Sequence, residues 1–117
     1  MYRLSKDEDL RFLLNAELIQ VCVGKNEVIL NFDNDARITV LSDFHVRTPK
    51  FDERFSDPVL GARAVCEFLH YAVGGATATS EGDLELRFSS GGSLKIFDTS
   101  DQYESFLISF RGKEIVV

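Results

Sequence analysis

The apolar and polar positions of this chain change period along its length, and each change marks an element. Leu10, Leu13 and Leu14 recur at three and four residues behind Ser5-Lys6-Asp7-Glu8, a capping box that would satisfy two orphan amides at a helix start. This predicts a short first helix, its early acids set against the positive end of the helix dipole. From Glu17 the period becomes two, with Ile19, Val21 and Val23 on one face and Leu18, Gln20 and Cys22 on the other. Gly24-Lys25-Asn26 reads as a turn, Val28, Leu30 and Phe32 as a second strand, and Asp33-Asn34-Asp35-Ala36 as another turn. Ile38 and Val40 then mark a third strand that runs on, through a bulge, to Phe44 and Val46.

Residues 47–56 break the alternation with Thr48-Pro49 and a run of charge, which predicts the main loop. Ser56 or Asp57 followed by Pro58 is an N-cap and first helical position, and Val59, Ala62, Cys66, Leu69 and Val73 recur at helical spacing. A second helix of about four turns is expected, closed by Gly74-Gly75. Strands resume weakly over 76–80, clearly through Leu84, Leu86 and Phe88, and again through Leu94 and Ile96 after a Ser89-Ser90-Gly91-Gly92 hairpin. Two more are expected over 103–110 and 113–117.

Sliding the chain on itself by 56 residues pairs Phe12 with Phe68, Leu13 with Leu69, Ala16 with Ala72, Leu30 with Leu86 and Phe32 with Phe88. The expectation is a duplicated helix-then-strands unit, one copy over 5–46 and the other over 57–117, within a single domain 1–117. Neither unit can bury its apolar face alone, so pairing them encloses one core. The predicted fold is α+β: a largely antiparallel, curved sheet or half-barrel of about eight strands with two helices against it.

Charge narrows the functional classes. The net charge is −6, with eleven acids against eight bases in residues 1–58 and eight against five in 59–117. No basic helix or stripe appears in the sequence, which argues against nucleic acid as a partner. No run of about 18 apolar residues argues against a membrane span. The polar start predicts a cytoplasmic protein, in which Cys22 and Cys66 are reduced, buried apolar thiols.

Gly82-Asp83-Leu84-Glu85-Leu86-Arg87-Phe88, the Gly91-Gly92 turn, Leu94-Lys95-Ile96, Tyr103-Glu104-Ser105-Phe106 and the closing Gly112, Ile115-Val116-Val117 carry a resemblance. This stretch resembles a family of small uncharacterised bacterial domains with a Gly-x-Leu-x-Leu-x-Phe hairpin and a C-terminal Tyr-Glu-x-aromatic motif. Phe106 stands where such domains carry Trp about as often. The resemblance implies the fold and, by association, an immunity-type or partner-binding role; it assigns no activity to any residue.

Candidate chemistry is sparse. His45 lies in an alternating strand, and His70 near the end of the second helix, where a cation suits the dipole. Cys66 and His70 are the one thiol and base at i, i+4, and a core Cys under a partly exposed His explains them. Asp33-Asn34-Asp35 lacks the Gly and distant Glu of a calcium loop. No catalytic residue, metal or cofactor is assigned. Tyr103 and Glu104 are partner-binding candidates, although in a strand they would point to opposite faces, with Tyr103 packed inward. Phe51 and Phe55 are the other candidates: either they fold back over the core, or they form a sticky patch that makes the 47–56 loop a homodimer contact.

The expected function is therefore a non-catalytic protein-binding or assembly domain, immunity-like in character. The rival is a small-molecule binding protein or minor enzyme using the concave face of the sheet. A concavity packed with Phe and Leu favours the first, and one lined with convergent polar groups the second.

Overall fold

A computed structural model of the chain describes residues 3–100 and 103–117. Among these residues ten strands form two antiparallel sheets, with one short α-helix. Strands β1 (Leu18–Val23), β2 (Val28–Phe32) and β3 (Arg37–Val40) form a meander. The next hairpin, β4 (Phe44–Arg47) and β5 (Asp52–Phe55), leaves for the other sheet. After the helix α1 (Pro58–Val65), strands β6 (Val73–Ala78), β7 (Leu84–Phe88) and β8 (Ser93–Ile96) form a second meander. The final hairpin of β9 (Phe106–Phe110) and β10 (Lys113–Val116) crosses back. The first sheet runs β1-β2-β3-β9-β10 and the second β5-β4-β8-β7-β6, so each meander is completed by the hairpin that follows the other.

This corrects the predicted α+β class: the described residues are mostly β, with ten strands in two sheets and no closed barrel among them, not eight strands with two helices. The first helix fails because its capping residues make local turns instead. Ser5 Oγ accepts the Asp7 N–H (3.1 Å), and the Glu8 N–H goes to the Ser5 carbonyl (3.0 Å). Asp9 captures both the backbone N–H and the guanidinium of Arg11, leaving a single 3-10 turn at Arg11–Leu13. The second helix starts as expected, with Pro58 in its first turn and the Asp57 carboxylate accepting from the Val59 N–H at 2.9 Å. It stops after two turns in a 3-10 turn at Cys66–Phe68, because Phe68 stacks on Phe88 (4.3 Å between centroids) and Val73 must enter β6. Gly74 and Gly75 lie in that strand and do not cap a helix. The 47–56 loop contains the hairpin turn and β5, since Thr48 N–H donates to the Phe51 carbonyl.

The two meanders carry the same registers. Val28↔Val40 and Leu30↔Ile38 correspond to Leu84↔Ile96 and Leu86↔Leu94, a shift of 56. Both first strands have a bulge at the same place, between Leu18 and Gln20 and between Val73 and Gly75, where the shift is 55. The turn after β6 is one residue longer than that after β1, which accounts for the change. Hydrogen bonds around the starts of β1 and β6 come in reciprocal pairs: Asn15 N–H to Val73 O with His70 N–H to Leu18 O, and Leu18 N–H to Tyr71 O with Val73 N–H to Ala16 O. The Glu17↔Ala72 bridge between them lies on an approximate two-fold axis. Leu30/Leu86 and Phe32/Phe88 are structurally equivalent positions. Phe12/Phe68, Leu13/Leu69 and Ala16/Ala72 are one residue out of step, since the structure matches Leu13 with Phe68.

Inward positions of both sheets join one hydrophobic core, including Leu30, Ile38, Ile108, Phe44, Leu86, Leu94 and Ile96. Helix α1 adds Ala62, Ala64 and Val65, and approaches β4 and β5 through Gly61, where a Cβ would run into the Phe44 ring.

Candidate functional site

Because the two sheets share their inner faces, ligand-accessible chemistry falls on the outer faces and edges. Between the sheets, the gap among Val28, Leu30, Val40, Phe44, Val65 and Leu94 leaves no room for a water molecule. Packed side chains of this kind fill the concavity on which the small-molecule reading depends.

The registers define the outer faces row by row, because neighbouring residues of a strand point to opposite sides. In the first sheet the row through all five strands is Cys22, Ile29, Thr39, Leu107 and Val116. It carries no charge, and each member is half-buried. Leu41, exposed just past β3, lengthens it. The next row is polar: Gln20, Asn31, Arg37, Ser109 and Glu114, with Asn31 donating to Gln20 (3.0 Å) and accepting from Arg37 Nε (2.9 Å).

In the second sheet the row equivalent to the apolar one is Thr77, Glu85, Lys95, His45 and Arg54. Its neighbour holds Arg87, Ser93, Arg47 and Asp52. His45 Nε2 stands 2.9 Å from Asp52 Oδ1, Arg54 Nε bonds Asp43 Oδ2 (3.0 Å), and Arg87 reaches Glu85 (3.4 Å). The Arg87 side chain lies over Gly75, where a Cβ would run into its guanidinium. The Arg54 guanidinium covers the Phe97 ring at 4.0 Å. This face gathers four of the thirteen Lys and Arg side chains, a basic patch hidden in the sequence because its members come from four strands.

The sequence candidates are dispersed. Phe55 is buried, at 7% exposure, opposite Phe44 (5.8 Å between ring centroids), and the half-buried Phe51 meets it edge-on at 6.5 Å. Phe55 is therefore buried by its own chain. Tyr103 does not pack inward: it precedes β9 and is 72% exposed, with Glu104 also exposed, while Ser105 and Phe106 are buried. The two pairs belong to hairpins of different sheets.

Cys22 is half-buried and Cys66 exposed, so neither is a core thiol; both are free. Partial burial, with Glu67 beside it, pushes the Cys66 thiol above its ordinary pKa, which disfavours the nucleophilic thiolate. His70 is exposed in a left-handed turn (φ 75°) beyond the helix, so the i, i+4 geometry with Cys66 does not exist. A groove of about 440 Å³ runs between residues 6–14 and the free edge of β6. There Arg11 holds the Asp9 carboxyl below the usual carboxylate range, chiefly by a side-chain hydrogen bond. No three His, Cys, Asp or Glu side chains cluster as a metal site among the described residues, and no described helix is long and apolar enough to cross a membrane.

One protein family, described as a family of unknown function (DUF6188), matches residues 12–117. No curated protein and no solved structure matches the chain.

Proposed function

Because the chain belongs to that family of unknown function, its role has to be read from its own surface, and we propose that it is a non-catalytic assembly domain that associates with a second copy through the outer face of the first sheet. The observation that carries this reading is the uncharged row Cys22, Ile29, Thr39, Leu107 and Val116, set where the second sheet carries charge. The two halves are taken as copies of one ancestral unit, so their inner faces were held alike by the shared core while their outer faces diverged in use.

A second copy suits this row because it is balanced about Thr39 of the central strand. A two-fold axis along β3 sets Ile29 over Leu107 of the second copy and Cys22 over Val116, and in the polar row Gln20 opposite Glu114. Tyr103 and Glu104 join the rim, because the Ser105 carbonyl next to them holds the Leu41 amide. Arg37 meets its own copy, a like-charge cost that limits affinity. A face of five strands at about 4.8 Å spacing covers only roughly 350 Å² per copy. Stable interfaces bury about 800 Å² per partner, so the association is weak and reversible.

Sedimentation velocity over a concentration series tests this. The wild type should show a monomer–dimer equilibrium at tens to hundreds of micromolar, and Leu107→Lys should remain monomeric with an unchanged fold. A wild type that is monomeric at millimolar concentration, or a Leu107→Lys variant that still dimerises, overturns the reading.

A further inference from the structure

We propose that the outer face of the second sheet is a binding site for the phosphoryl group of a small phosphate monoester, formed by Arg47, Lys95, Ser93 and His45. These four residues make a square on two paired strands. His45 lies opposite Lys95 and Arg47 opposite Ser93, and all four side chains leave the same face of β4 and β8. They line a depression of about 350 Å³, closed at one side by Phe97 and at another by Glu85.

The charge arrangement is what marks the square as a site. In a protein with six excess acids, an isolated cation finds a carboxylate easily. Among the described residues, no hydrogen bond or ion pair engages the Arg47 guanidinium. The nearest acids are already committed: Asp52, opposite Arg47, stands 2.9 Å from His45, and Glu85, opposite Lys95, takes Arg87. Lys95 has only a long contact, 3.9 Å, to Asp83. The Arg47 guanidinium and the Ser93 hydroxyl therefore face the depression with their donors unspent, and Lys95 beside them is held, among the described residues, only by its long contact to Asp83 and by the Phe97 ring, 5.3 Å away.

A tetrahedral oxyanion uses that set better than a carboxylate does. The guanidinium fork can take two oxygens, the ammonium a third, and the Ser93 hydroxyl can donate to any of them. Asp52 Oδ1, 2.9 Å from His45 Nε2, holds the ring beside the depression. Equivalent positions in the first sheet hold Ser109, Thr39, Arg37 and Leu107, one cation among four, so the molecule carries its own comparison face. This site is independent of the assembly surface, which lies on the other sheet.

Titration of the ¹⁵N-labelled protein with inorganic phosphate, against acetate and chloride at matched ionic strength, tests the site. Phosphate should give saturable amide shifts at His45, Arg47, Ser93 and Lys95, with acetate at least tenfold weaker. Arg47→Gln and Lys95→Gln should each lower phosphate affinity at least tenfold, while Arg63→Gln on the helix leaves it unchanged. Both substituted side chains leave the outer face, and a thermal melt confirms that the variants fold. Equal shifts from chloride, acetate binding as tightly as phosphate, or an Arg47→Gln variant with wild-type affinity would each overturn the proposal.

Discussion

Thr39 and Lys95 occupy the same place in the two sheets, the outward position on the third strand of a meander, and their surroundings differ completely. Around Thr39 are Ile29 and Leu107; around Lys95 are Glu85 and His45. One residue inward the sheets agree, with Ile38 and Leu94 both buried in the common core. A shared core constrains every inward side chain by volume, since packing at crystal-like density makes even one methylene felt. An outward side chain has no such partner. The comparison teaches where to look for function in a symmetric molecule: at equivalent positions whose surroundings no longer match.

The strongest way to break this comparison is in the core, where the halves should behave alike apart from local ring packing. Phe55→Ala should cost about 3–5 kcal/mol in urea unfolding, because Phe55 fills the space between Phe44 and Phe51. Replacing Phe51 and Phe55 together by Ser should unfold the domain. A folded, monomeric double variant would instead return these rings to the interface role.

Leu30→Ala and Leu86→Ala should each cost about 2–5 kcal/mol, and by similar amounts, since both side chains are fully buried at equivalent positions. A difference of several kcal/mol between them would show that the halves are not energetically equivalent.

Outer-face changes should be milder. Leu107→His, which installs the second sheet's residue on the first, should shift stability by no more than about 0.5 kcal/mol while suppressing self-association. A large loss of stability would mean that the row is structural.

The smallest effect concerns Cys66. With its thiol pKa raised, it should alkylate more slowly than a free cysteine peptide at pH 7, despite its exposure. The rate should still climb at a pH where an ordinary thiol has levelled off. Fast labelling at pH 7 would contradict the geometry around it.

Local chemistry is what the sequence determined by itself. Alternation placed β2, β3, β7 and β8 to within a residue or two, and the Asp57-Pro58 pair placed the helix start, because these signals act between neighbours along the chain. The tertiary structure decided what depends on distant partners. Helix α1 ends early because Phe68 has Phe88 to stack on, and the Glu8 carboxylate that would close the capping box instead meets Lys113 of β10 at 3.6 Å. Tyr103 lies outside because the strand it was assigned to begins only at Phe106. Neither outer face could be read along the chain, since Arg54, His45, Lys95 and Glu85 are scattered over some fifty residues. Hydrogen bonding between strands brings them into one row, and only the exchange of hairpins between the halves sets β4 beside β8.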